Sequence, residues 1–162
     1  MKIWPILILL PLVIESMDLD NKEFLIYNGK WRKARLAMWG TGGHEVGTTE
    51  GPLYPDQIWT LKPSNKAGCY YIVNKVHSQY RIADSKHKVV VWKGPYYDDQ
   101  LFRFNRSQIG DTYMITSCHY PGDWLAKNGS GDRNIFFLAA SAGRKYGSNE
   151  RWWWVLKTPG KK

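Results

Sequence analysis

The chain has 162 residues, with 23 Lys and Arg against 14 Asp and Glu, for a formal charge of +9. Its mean hydropathy of −0.47 and 23% charged residues exclude a polytopic membrane protein. Aromatic residues at 15% exclude wholesale disorder, and two cysteines are too few for a disulfide-stapled miniprotein or a zinc finger.

The N-terminus reads as a secretory signal peptide over residues 1–16. Lys2 supplies the positive start, and Trp4 to Ile14 is an apolar run without a charge. Such a run is too short to cross about 30 Å of hydrocarbon. Ile14 and Ser16 fit the −3 and −1 positions of a cleavage site before Met17. The expected product is a secreted, extracellular domain of residues 17–162 that does not insert stably into membranes. Separation from the cytosol also argues against a nucleic-acid partner. Asn105-Arg106-Ser107 and Asn128-Gly129-Ser130 fit the N-glycosylation sequon, and both fall in expected loops. Cys69 and Cys118 can pair in an oxidising compartment. Against pairing, they lie in different repeats and at opposite ends of comparable strands, so the sequence leaves the question open.

From Asn21 onward the chain is a threefold repeat of short strands. Asp56-Gln57-Ile58-Trp59-Thr60-Leu61 recurs 43 residues later as Asp99-Gln100-Leu101-Phe102-Arg103-Phe104. A weaker third copy lies in 149–156, in one of two registers. Either Glu150 matches Gln57, or Trp154-Val155-Leu156-Lys157 matches Trp59-Thr60-Leu61-Lys62. Tyr71-Ile72-Val73-Asn74 echoes Tyr113-Met114-Ile115-Thr116, and His77 echoes His119. Tyr80-Arg81-Ile82-Ala83 echoes Arg35-Leu36-Ala37 and Trp124-Leu125-Ala126.

Alternating, β-branched and aromatic segments separated by Gly, Pro, Asn or Asp give four strands per repeat. They centre on 24–27, 34–39, 44–47 and 57–61, then 70–75, 80–83, 88–92 and 100–104. The last four are 112–117, 123–126, 135–139 and 151–156. No segment holds a 3.6-residue period, so helices should be few. Twelve strands in three units, over about 21–65, 66–108 and 109–158, predict an all-β chain with the β-trefoil architecture. That is a six-stranded barrel closed at one end by three hairpins. Trp59, Phe102 and Trp154 are the expected aromatic layer of its interior.

The Gln-x-Trp pattern that closes each repeat resembles the ricin B-type lectin domains, a β-trefoil carbohydrate-binding family. The resemblance implies a non-catalytic glycan-binding protein, with glycans or glycoproteins as partners. It also implies that a sugar site takes an Asp after the second strand, an aromatic ending the third and an acid or amide before the Gln. Only the middle repeat offers the set. Asp84 and Asp99 accept from hydroxyls, Trp92 or Tyr96 stacks on the ring, and Gln100 follows Asp99. The first repeat has Ala37-Met38-Trp39 at this place and the third has Lys127-Asn128.

Enzymatic patterns are missing from the sequence. There is no Gly-x-Ser-x-Gly elbow and no His-Glu-x-x-His, and Gly40-Thr41-Gly42-Gly43 reads as a turn. The histidines at 44, 77, 87 and 119 lack metal-ligand spacing, and Cys118-His119 point to opposite faces of a strand. The expectation is no enzyme, cofactor or metal. Two other readings stand beside the lectin. Lys30, Arg32, Lys33 and Arg35 crowd around Trp31, with Lys86, Lys88 and Lys93 on the middle repeat. Such a basic patch suits sulfated glycosaminoglycans or an acidic surface. Secreted trefoils resembling the Kunitz-type soybean inhibitors would instead bind a protease through one loop. Asp84→Ala is expected to remove sugar binding with little change in melting temperature.

Overall fold

A computed structural model describes residues 18–39, 45–107, 112–129, 131, 135–138 and 151–158. The signal segment 1–16 and Gly40-Thr41-Gly42-Gly43 fall outside these. Twelve strands are present: β1 (Glu23–Asn28), β2 (Arg35–Trp39), β3 (Glu45–Thr49), β4 (Trp59–Pro63), β5 (Tyr70–Asn74) and β6 (Tyr80–Ser85), then β7 (Lys88–Lys93), β8 (Leu101–Arg106), β9 (Thr112–Ser117), β10 (Trp124–Lys127), β11 (Ile135–Leu138) and β12 (Trp152–Lys157). All twelve expected segments are strands, with ends shifted by about two residues at most.

The pairing closes on itself. β1 pairs with β12 and β4, β4 with β5, β5 with β8, β8 with β9, and β9 with β12, every pair antiparallel. This six-strand ring has no free edge. The other strands form the hairpins β2–β3, β6–β7 and β10–β11, one per repeat. The architecture is the β-trefoil.

Three cross-strand pairs define the pseudo-threefold frame: Trp59 with Asn74, Phe102 with Ser117, and Trp153 with Asn28. The three aromatic rings are fully buried. Each indole N–H donates to a hairpin-strand carbonyl, Trp59 to Leu36 O and Trp153 to Leu125 O, both at 2.9 Å. Phe102 has no indole N–H at this place. Trp153, not Trp154, therefore completes the core, and Trp154 is only partly buried. The side-chain period of a strand is two, so a slip of one residue reverses the faces. The third copy obeys neither expected register. Trp153 takes the place of Trp59, and Arg151 takes that of Gln57.

The turns after β1, β5 and β9 repeat the same hydrogen bonds. Asn28 Oδ1 accepts from the Lys30 and Trp31 N–H groups, at 3.1 and 3.2 Å. Asn74 Oδ1 accepts from Val76 and His77, both at 3.1 Å. Ser117 Oγ accepts from His119 and Tyr120, at 3.3 and 3.0 Å. The match is thus Asn74 with Ser117, one residue beyond the expected Thr116, and His77 with Tyr120 rather than His119. A short side-chain oxygen is needed here because the turn's N–H groups have no strand to pair with.

Cys69 and Cys118 form a disulfide with Cα atoms 6.6 Å apart. Their places at opposite strand ends do not prevent it, because the barrel is sheared. Phe102, near the start of β8, pairs with Tyr70 at the start of β5 and with Ser117 at the end of β9. The residues just beyond those pairs, Cys69 and Cys118, meet beside β8.

Candidate functional site

Two loops of like sequence precede the Trp59 and Phe102 strands: Gly51-Pro52-Leu53-Tyr54-Pro55-Asp56-Gln57 and Gly94-Pro95-Tyr96-Tyr97-Asp98-Asp99-Gln100. Each is clamped from beneath by an arginine of the preceding hairpin. Arg81 Nε donates to Gln100 Oε1 at 2.8 Å, and its terminal nitrogen donates to the carbonyls of Gly94 and Pro95. Arg35 does the same to Gln57 Oε1 at 2.7 Å and to the carbonyls of Gly51 and Pro52. A planar guanidinium suits this task, since its donors diverge in a fixed fork. The clamp was legible as the paired Arg35 and Arg81 and the repeated Gly-Pro dipeptide, but composition alone assigned Arg35 to a surface patch.

The clamped second loop turns its side chains outward. Trp92, Tyr96 and Tyr97 are 44%, 51% and 50% exposed. Tyr96 is braced by the Arg81 guanidinium, 3.9 Å from its ring centroid, and edge-on by Tyr71 at 4.5 Å. Tyr97 meets the edge of Trp92 at 6.2 Å. A cleft of about 530 Å³ opens between this loop and the β9–β10 turn, lined by Tyr96, Tyr97, Asp98, Asp99, His119 and Tyr120. Asp99 keeps one buried carboxylate oxygen with no hydrogen-bond partner.

The expected sugar set is divided by the structure. Trp92, Tyr96 and Asp99 lie on or beside the open loop, whereas Asp84 and Gln100 are closed off. Gln100 is 1% exposed and serves the Arg81 clamp. Asp84 is fully buried, and its Oδ1 accepts the His87 N–H at 2.9 Å. Its Oδ2 is buried without a donor. His87 Nδ1 lies 2.5 Å from Asp123 Oδ2 in the β9–β10 turn. Burial, and then the Asp123 carboxylate, push the Asp84 carboxyl up to about 6, against the pull of the His87 N–H. Lys86 and His87, the two residues between the paired Ser85 and Lys88, both have positive φ, at 50° and 71°. Asp84 and Asp123 hold this strained turn from either side of His87. Asp84 is thus a structural residue, and its replacement by Ala acts on stability.

The basic patch is also narrower than its sequence cluster. Lys30, Arg32 and Lys33 are exposed in the β1–β2 turn, while Arg35 is the clamp described above. Lys30 and the buried Lys127 lie 4.8 and 5.6 Å from the Trp31 ring centroid. Lys86, Lys88 and Lys93 are exposed along the middle hairpin. Of the sequons, Asn128 is exposed in the coil after β10. Asn105 lies within β8 rather than in a loop, and its amide donates to Thr116 Oγ1 at 2.9 Å. Among the described residues no group of three or more His, Cys, Asp or Glu is placed to hold a metal ion.

No protein-family model matches the chain, and no curated protein matches its sequence. Solved structures match it closely in shape. The lectin SeviL, bound to the asialo-GM1 saccharide, aligns with a TM-score of 0.68 and 19% identity, covering 86% of this chain and 99% of that one. Polyporus squamosus lectin, bound to the Neu5Acα2-6Galβ1-4GlcNAc epitope, gives 0.68 and 18%, covering 85% and 49%. A Culex salivary protein of a cysteine- and tryptophan-rich family gives 0.69 and 17%, covering 88% and 98%. A mosquitocidal holotoxin gives 0.74 and 18% over 86% of this chain, which spans only 17% of that protein. By its closed barrel, its three hairpins and these neighbours, the chain is a β-trefoil similar in structure to ricin B-like lectins.

Proposed function

We propose that this chain is a secreted, non-catalytic glycan-binding protein that holds saccharide in the cleft between the second clamped loop and the β9–β10 turn. One observation carries the reading. The Arg81–Gln100 clamp fixes a loop whose Tyr96 and Tyr97 are half-exposed beside the carboxylates of Asp98 and Asp99. Sugar rings offer a C–H face to an aromatic ring and paired hydroxyls to a carboxylate, so this combination suits neutral glycans. A fixed loop also loses little conformational entropy on binding. The saccharide complexes of SeviL and Polyporus squamosus lectin support saccharide as the kind of ligand. The Cys69–Cys118 bridge supports an oxidising, extracellular location.

The test is Tyr97→Ala, since the described contact of that ring is with Trp92 alone. Neutral-glycan affinity falls at least tenfold while the melting temperature stays within a degree or two. Unchanged affinity overturns the site. A second reading rests on the exposed Lys30, Arg32 and Lys33. Binding to sulfated glycosaminoglycan there weakens steeply with salt and with Lys33→Glu, and an affinity indifferent to both removes it. A protease inhibitor does neither and titrates its protease one to one.

A further inference from the structure

A second pocket, of about 370 Å³, lies on the flank of the barrel against the disulfide and shares no lining residue with the cleft at the aromatic loop. Arg103 and Asn105 alternate along the outer face of β8, with Thr116 of β9 directly opposite Arg103 and Trp124 of β10 opposite Thr116. Lys66 reaches in from the β4–β5 loop, and the β9–β10 turn closes the far side.

The pocket is basic and carries no acid in its lining. Lys66 Nζ donates to Cys118 O at 2.8 Å and retains its other donors. Arg103 is exposed, and its described contact is a weak one to Cys69 Sγ at 3.9 Å. Among the described residues, no carboxylate lies within ion-pair distance of either cation. A third cation, Arg151, lies 4.5 Å from the centroid of the Trp124 ring. The disulfide joins the segment behind Lys66 to the end of β9, and β9 pairs with β8, the strand that carries Arg103, so the two cations stand on linked segments.

Comparison among the repeats adds weight. At the place of Trp124 the other repeats carry Arg35 and Arg81, and at the place of Arg151 they carry Gln57 and Gln100. In the third repeat the pair is exchanged, with the arginine on the other side of it and an indole lining the pocket. Departures from an otherwise consistent local rule mark functional or strained places.

We propose that this flank pocket binds the anionic group, a carboxylate or a sulfate ester, of an acidic sugar. Arg103 and Lys66 pair with the anion and Trp124 carries the adjoining ring. Asn105 belongs to the pocket wall with its amide nitrogen committed to Thr116 Oγ1 and Met114 O, so the sequon at Asn105 stays unmodified and the pocket stays open.

The experiment is a calorimetric and NMR titration of the disulfide-bonded protein with matched sugars: galactose 6-sulfate against galactose, and glucuronate against glucose. At least one acidic member binds saturably and shifts the Trp124 indole resonance, and the arm that responds identifies sulfate ester or carboxylate as the anion. Arg103→Gln, an exposed and fold-neutral change, weakens that binding at least tenfold, while Tyr97→Ala leaves it unchanged. An equal shift of the Trp124 indole by the neutral partners, equal affinity of Arg103→Gln, no response to either acidic sugar, or a glycan on Asn105 by mass spectrometry overturns the proposal. Because Tyr97→Ala and Arg103→Gln act on separate pockets, failure here leaves the neutral-glycan reading standing, and the reverse also holds.

Discussion

The loops at 51–57 and 94–100 are built on one plan and end differently. Both are held by an arginine that donates to a glutamine and two carbonyls, and both close with a 3-10 turn before a buried aromatic. The first presents Leu53-Tyr54-Pro55, and Val76 is exposed in the β5–β6 turn, whose Asn74 amide donates to Asp56 O of this loop. The second presents Tyr96-Tyr97-Asp98 facing His119 and Tyr120. What is shared is the scaffold, and what differs is chemistry at the tip. A carboxylate and two aromatic rings can address sugar hydroxyls and C–H faces together, whereas the first tip keeps the Tyr54 ring but has Leu53 and Pro55 in place of Tyr96 and Asp98. On the proposed reading, binding specificity belongs to the tips and stability to the clamps.

That separation can be broken from its strong end first. Replacing Cys69 and Cys118 together by Ser frees a 49-residue separation and costs about 4 kcal/mol by loop-closure entropy. Chemical denaturation measures it, and a loss below about 1 kcal/mol would show that β8 alone holds that corner. Next, Arg81→Ala costs about 3 kcal/mol, because it strands buried acceptors and removes the brace under Tyr96. Arg35→Ala costs about 1 kcal/mol, since that side chain is only half-buried and water replaces it. Equal losses would mean that the two clamps are equivalent after all.

Asp84→Asn has a smaller effect and a definite pH signature. The folded-state carboxyl is raised from 3.8 to about 6, so its protonated form is favoured by folding. Its contribution is fully present below about pH 4 and is lost as pH rises toward 6. Asparagine keeps the acceptor for the His87 N–H and places a donor towards the Asp123 carboxylate. The variant is expected to be about 1–2 kcal/mol more stable than the parent at pH 7, after allowance for solvent screening, and equal to it near pH 4. Thermal melts across that range check the sign, and a destabilised variant at pH 7 contradicts the account. The smallest change in stability comes at the tip. Tyr97→Ala stays within about 0.5 kcal/mol of the parent, and its effect is confined to binding.

Most of the architecture was legible in the sequence, because strand alternation and the Asp-Gln-x-aromatic repeat are local signals. The misread parts depend on partners far along the chain. Three successive tryptophans, 152–154, give no contrast from which to choose the inward one, and only pairing with Asn28 selects Trp153. The disulfide follows from barrel shear, which no spacing along one strand reveals. Asp84 sits where the lectin pattern wants an open acid, but Asp123 and His87 close over it from another repeat and the adjoining turn. The placing of Tyr96 and Asp99 on an open loop was legible, because aromatics and acids on a turn already carry their chemistry in sequence.

The most direct test of the central claim is a glycan array probed with the purified protein at physiological salt, with Tyr97→Ala run in parallel. The account predicts saturable binding to a family of neutral glycans by the parent and loss of that binding in the variant. Silence of the parent toward every neutral glycan, or equal binding by the two proteins, would contradict it.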